Sequence, residues 1–301
     1  MTTMKNPLLG LRDDIGLKLF IAVFMVITVA VVIVPLWFII TASFSDPDAV
    51  MRGENLFWFV GFQTDGYRQI FSDPTIFSGY FNSAVYSGFG SLMGAALVIP
   101  YAFALSRRTF FARRFLTILV LIPMYFTGGL VPLYLVVRNL GLYNTRFVII
   151  ALGSFGAWNV IIARTYFATT LPDELWEAHL IDGGNYLQFF FHIVLPLSSA
   201  IIAVIMLFSG VAQWNDFFKG LIFLREQSKW PLQLILRDIL TRVESSEMAM
   251  LMDVESMDER MRVAGIIRYG LIVVATAPVL LIFPFLQKYL VKGVMLGAVK
   301  G

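Results

Sequence analysis

Cysteine is absent from all 301 residues. Disulfide and thiol chemistry are excluded, and the redox compartment leaves no mark on the chain. Histidine occurs twice, at His179 and His192, which lie 13 positions apart with no cysteine to join them, so a metal site is not expected. A nucleotide-binding Gly-x-x-x-x-Gly-Lys-Ser/Thr loop is missing too. The run from Gly293 to Gly301 holds glycine and lysine without that spacing. A serine hydrolase would need a histidine near a strand-borne serine, and no such strand is evident. The chain is therefore not expected to be an enzyme or to hold a cofactor of its own. Charge is scarce as well: Asp, Glu, Lys and Arg make up 14% of the residues and the net charge is +3, too little to signal nucleic acid.

Apolar residues fill the space, at 58% of the chain, more than a soluble core of this length requires. Six runs reach the roughly 20 apolar residues that cross a bilayer. They extend from about Leu17 to Phe44, Tyr80 to Leu105, Phe115 to Val137, Phe147 to Phe167, Val194 to Phe218 and Ile266 to Leu286. Backbone groups in hydrocarbon must bond within their own segment, so an all-α polytopic membrane protein is expected. The first run is too long for a signal peptide and no Ala-x-Ala site follows it, so it is read as retained.

Orientation follows from basic residues in short loops. Arg107, Arg108, Arg113 and Arg114 lie between the second and third runs with no acidic neighbour, which puts that loop in the cytoplasm. Lys5, Arg12 and Lys18 at one end and Lys288, Lys292 and Lys300 at the other fall on the same side, as six spans require. Two long segments would then be external. Residues 45–79 are turn-rich, with Tyr67, Ile70 and Phe71 at helical spacing. Residues 219–265 carry Arg237, Asp238, Arg242, Glu244 and Glu247 at near-helical spacing and should form a helical excursion.

A polar stretch stands between the fourth and fifth runs. It reads Glu177-Ala178-His179-Leu180-Ile181-Asp182-Gly183, nine residues, then Ile193-Val194-Leu195-Pro196. Pro172 followed by Asp173 and Glu174 suits a helix start. Leu175, Ala178 and Asp182 give such a helix one compact face, Gly183-Gly184 ends it, and Pro196 suits the first turn of the next span. The spacing resembles the Glu-Ala-Ala loop of ABC-importer membrane subunits throughout, with His179 in place of the second alanine and Ala200 where a further proline is common. Asn82-Ser83, Tyr101 to Arg107 and Trp214-Asn215-Asp216 are similar to carbohydrate permeases of that kind, and Phe283 to Gly293 with Gly297 to Gly301 resembles the MalG-like subunit. Gly128 to Pro132 through Gly141-Leu142 resembles a subgroup linked to oligosaccharides released from complex polysaccharides.

The resemblance implies a type I ABC importer permease fold with a cytoplasmic coupling helix in the loop at about 168–196. It implies one permease domain over 1–301, with its core at about 80–290 and a cytoplasmic tail at about 288–301. Multi-pass residence in a bacterial cytoplasmic membrane follows. The implied partners are a second, MalF-like permease subunit, two cytoplasmic ATPase subunits that bind ATP and Mg, an external solute-binding protein and a carbohydrate. ATPase coupling falls to Glu177, Ala178, His179, Asp182, Gly183, Ile193, Leu195 and Pro196, and further ATPase contact to Lys292, Gly297, Lys300 and Gly301.

Sugars are held by aromatic faces and by amides that replace water, so Asn82, Tyr125, Trp158, Asn159, Trp214 and Asn215 are candidates for the substrate pathway. Interfacial anchoring of the aromatics and helix-to-helix bonding of the amides are the competing readings. Trp214-Asn215 is the preferred pair, because an amide inside an apolar run is expensive. The rival functions are import of another small solute by the same machinery, an ion-coupled secondary transporter, and a membrane scaffold. A secondary transporter needs ionisable groups deep in its spans, and Arg164 and Arg268 lie near span ends. A scaffold would leave the polar loop unexplained.

Overall fold

The computed structural model of the chain describes residues 7–55, 57–250 and 267–282, with Pro284 and Gln287. The tail residues Lys292, Gly297, Lys300 and Gly301 lie outside the described residues, as do residues 251–265 of the second long segment. Among the described residues there are helices and no strand. The chain separates into two units, residues 1–70 with 243–274 and residues 71–242 with 275–301.

In the first unit, α1 (Pro7–Ser43) is exposed on every side over residues 15–37. A helix apolar all round belongs in lipid or against another chain. Its last turn is knotted by polar side chains. The Thr41 hydroxyl donates to the Asn55 carbonyl (2.9 Å), and the Tyr67 hydroxyl donates to Ser43 (2.8 Å). The short α2 (Pro47–Met51) follows, capped by Asp46, and then α3 (Asp65–Ser72), the helix expected around Tyr67 and Ile70.

The second unit is built around α4 (Pro74–Ser106), which starts with Asp73 accepting from Thr75 N–H and Pro74 in the first turn. After it come α5 (Arg113–Tyr125), α6 (Leu130–Asn139), α7 (Arg146–Ser154), α8 (Ala157–Thr170) and α9 (Asp173–Ile181). Next are α10 (Tyr186–Phe189), a π-turn at Phe190–Val194, α11 (Leu195–Leu197), α12 (Ser199–Trp214), α13 (Phe218–Phe223) and α14 (Leu232–Met250). The last described helix is α15 (Ile267–Ile282), whose residues up to 274 belong to the first unit and whose remainder belongs to the second. The closest packing is of α12 along α4, flanked by α7 and α8. A Cβ on Gly94 would meet the Ser154 carbonyl at 2.8 Å, so glycine sets the approach there, whereas Gly88 faces open space.

Two helices, Ile15–Ser43 and Pro74–Ser106, are long and apolar enough to cross a membrane unaided. The runs expected as single third, fourth and fifth spans are each broken. The α5–α6 pair bends by 120°, α7–α8 by 45°, and Tyr186–Leu197 against α12 by 77°. Counting each bent pair as one span gives up to five, and α15 is a shorter apolar helix. The largest bend lies where α5 ends in an extended Phe126 and Gly129, at φ 82°, starts α6 in a new direction. The fifth run also ends earlier than expected, at Trp214.

The helix expected in the second long segment is α14, and its first turns are packed in place. Leu232, Leu234, Ile235 and Leu236 are buried, and a Cβ on Gly79 of α4 would collide with Ile235.

Candidate coupling site

The polar loop folds as a helix, a reversal and a second helix start. Pro172 caps α9 in an extended conformation, and Asp173 and Glu174 occupy its first turn, where carboxylates meet the positive helix end. Past Asp182, Gly183 adopts φ 78°. Gly183 N–H donates to the Leu180 carbonyl and Gly184 N–H to the His179 carbonyl, both at 3.0 Å. This is a Schellman closure, which a side chain at position 183 would strain. Asn185 and Gln188 then close a reciprocal capping box, each side chain accepting from the other residue's N–H.

No residue of α9 is fully buried. Leu175, Ala178 and Asp182, expected to share a face, are all exposed. The face that packs carries Trp176 and His179, because the chain doubles back beneath them. Trp176 stacks on Tyr186 with centroids 3.9 Å apart and meets the Phe189 ring edge-on at 5.3 Å. The His179 ring lies 5.5 Å from that of Phe189, which is completely buried. The same ring fills the place of a side chain at position 184, where a Cβ would collide with His179 Nε2. Beside this face, Glu177, Leu180 and Ile181 are exposed.

The end of the motif shapes the backbone. Leu195 N–H reaches back five residues to the Phe190 carbonyl, forming the π-turn. Pro196, exposed, lies just beyond it, and Ile193 and Leu195 are half-buried. Between them Val194 is fully buried.

In the sequence Arg107 served as an orientation signal and as the end of the permease-like Tyr101-to-Arg107 stretch, with no contact assigned to it. Its side chain is in fact buried at the end of α4. Nη1 pairs with Asp173 Oδ1 at 3.0 Å, and the guanidinium lies over the rings of Phe103 (4.9 Å) and Phe189 (5.9 Å). Beside it an apolar groove of about 870 Å³ runs between α4, the 107–111 turn and the segment from Tyr186 to Ile202.

The six pathway candidates have separate surroundings. Asn82 is buried and donates to the carbonyls of Ser228 (2.9 Å) and Trp230 (3.0 Å). Next to it, Ser83 accepts from Leu232 N–H and the Tyr86 hydroxyl donates to the Lys229 carbonyl, so this end of α4 holds the 228–232 segment. Trp214 is 7% exposed, donates through Nε1 to the Ala275 carbonyl and lies against Tyr80. Asn159 donates to Ser209. Tyr125, Trp158 and Asn215 are exposed.

The expensive amide is Gln213, one residue before the expected pair. It is buried, its Nε2 donates to the carbonyls of Ile149 and Ile150, and glycines at 90 and 153 make room for it. In the same unit Asn144, at φ 60°, accepts from the N–H groups of Arg225 and Glu226. Hydrogen bonds from Lys229, then from Asn144, hold the Glu226 carboxyl below its ordinary range.

Residues 89–296 match the family model described as binding-protein-dependent transport system inner membrane component. The chain is 36% identical over 278 residues to the polygalacturonan/rhamnogalacturonan transport system permease protein YtcP of Bacillus subtilis, covering 92% of this chain and 96% of that one. It is 34% identical over 300 residues to protein LplC of the same organism, covering 99% and 98%. One solved structure, from a bacterial ABC transporter involved in the import of the acidic polysaccharide alginate, superposes with a TM-score of 0.78 at 28% identity, covering 96% of this chain and 99% of that one.

Proposed function

The chain belongs to the binding-protein-dependent transport system inner membrane components, and from that premise we propose that it is one of two membrane subunits of an ATP-driven carbohydrate importer. It pairs with a MalF-like subunit. Two ATPase subunits, which bind ATP and Mg, dock on its cytoplasmic side, and an external solute-binding protein delivers the sugar. α1, α4, the three bent pairs and α15 make six spans with both termini in the cytoplasm. ATP binding draws the coupling helices together and switches the spans to face outward. Such switching requires ligands with unequal affinity for the two states.

The observation that carries this reading is α9 itself. A helix that rests on its own core through Trp176 and His179, has no fully buried residue, ends in a glycine at positive φ and occurs at the Glu-Ala-Ala spacing has most of its surface left for a partner. Glu177, Leu180 and Ile181 form its contact face. Among the pathway candidates, Tyr125, Trp158 and Asn215 have faces open to a sugar. Polygalacturonan and alginate are both polymers of uronic acids, so an oligosaccharide of uronic acids is the substrate class to test first, against a neutral one of equal length.

The decisive experiment uses the absence of native cysteine. Glu177→Cys should crosslink to a cysteine on the ATPase subunit, with an efficiency that changes with bound nucleotide. Crosslinking to the external binding protein alone would overturn the topology.

A further inference from the structure

We propose that Arg107 is a positioning residue that ties the coupling helix to α4, so that this cation supplies the direct polar link by which movement of α9 reaches the spans. The proposal rests on α9 being the ATPase contact. Asp173 is the first residue of α9, and its side chain is 75% exposed, whereas that of Arg107 is 10% exposed. An ion pair between two surface groups contributes little, but a buried guanidinium holds its partner in a fixed place. Both charges also suit the helix ends they occupy. Arg107 caps the negative end of α4, and Asp173 lies at the positive start of α9.

The same cation faces Phe103 of α4 and Phe189 of α10, so three elements meet on it. Its Nε and Nη2 are buried without a hydrogen-bond partner. The rings and the single carboxylate therefore fix its position, and moving Asp173 alters the whole environment of a desolvated charge. The rest of the α9 contact, Trp176 and His179 on Tyr186 and Phe189, joins α9 to the chain that follows it and reaches α4 only indirectly, through the Phe189 ring 6.2 Å from that of Phe103. Arg107 adds the link to the helix that packs longest against α12.

The test uses the complete transporter in proteoliposomes, reading sugar imported per ATP hydrolysed. That ratio is insensitive to a fall in yield. Asp173→Asn and Arg107→Gln should each lower it by about five-fold or more, the range of an ordinary coupling energy. The double variant should be no worse than either single one, and Arg107→Lys should recover most of the loss. If Arg107→Gln fails to assemble, Asp173→Asn decides alone, since an exposed Asn is tolerated at a helix start. A normal ratio in Asp173→Asn, or losses that add in the double variant, would overturn the proposal. The Glu177→Cys crosslink, measured in the same preparations, separates the two readings. Its absence in the otherwise unchanged chain condemns ATPase docking at α9, whereas its presence beside a normal Asp173→Asn ratio condemns the Arg107 link alone.

Discussion

At the scale of single residues, the reversal after α9 depends on two glycines for different reasons. Gly183 has open space around it and is needed for its φ of 78°. A side chain there costs on the order of 1–3 kcal/mol, with β-branched residues at the upper end. Gly183→Val should abolish sugar uptake while the spans still insert, measured by uptake and membrane yield together. Gly184 is needed for space, because a Cβ would enter the His179 ring. Gly184→Ala should therefore impair uptake, and adding His179→Ala should restore it; uptake by the three variants decides. The first requirement was legible, since a glycine pair after a polar helix signals a turn. The second was not. His179 and Gly184 are five positions apart, and their contact exists only once the chain has folded back through the Schellman closure.

At the scale of elements, hydrophobic runs located the helices well and their breaks poorly. A run of apolar residues reads the same whether straight or bent, so the 120° turn near Gly129 and the 77° turn near Ser198 were invisible. Amides misled for a related reason. Gln213 and Asn215 share one apolar stretch, and which is buried depends on where α12 ends and which face meets α4 and α7. Gln213→Leu removes two hydrogen bonds to α7 carbonyls, an expected loss of about 1–3 kcal/mol. The thermal unfolding midpoint of the detergent-solubilised complex should fall. An unchanged midpoint would mean that those carbonyls find other donors.

At the scale of the whole molecule, the family and its task were readable because the polar loop is so unlike its surroundings. The link between that loop and the spans was not, since Arg107 and Asp173 are 66 positions apart. Purified without its partners, the chain should hydrolyse no ATP, as the missing phosphate cradle requires; activity that survives removal of every contaminating ATPase would contradict this. The pairing of His179 with Gly184 also bears on engineering. Building a hybrid importer by changing the Glu-Ala-Ala residues toward a relative's, one position at a time, would pass through sequences in which ring and backbone no longer match. Alanine at 179 leaves a hole over Gly184, and a larger residue at 184 meets an imidazole. Compatible transplants should therefore move residues 173–189 as one block, so that the helix arrives with the floor it rests on.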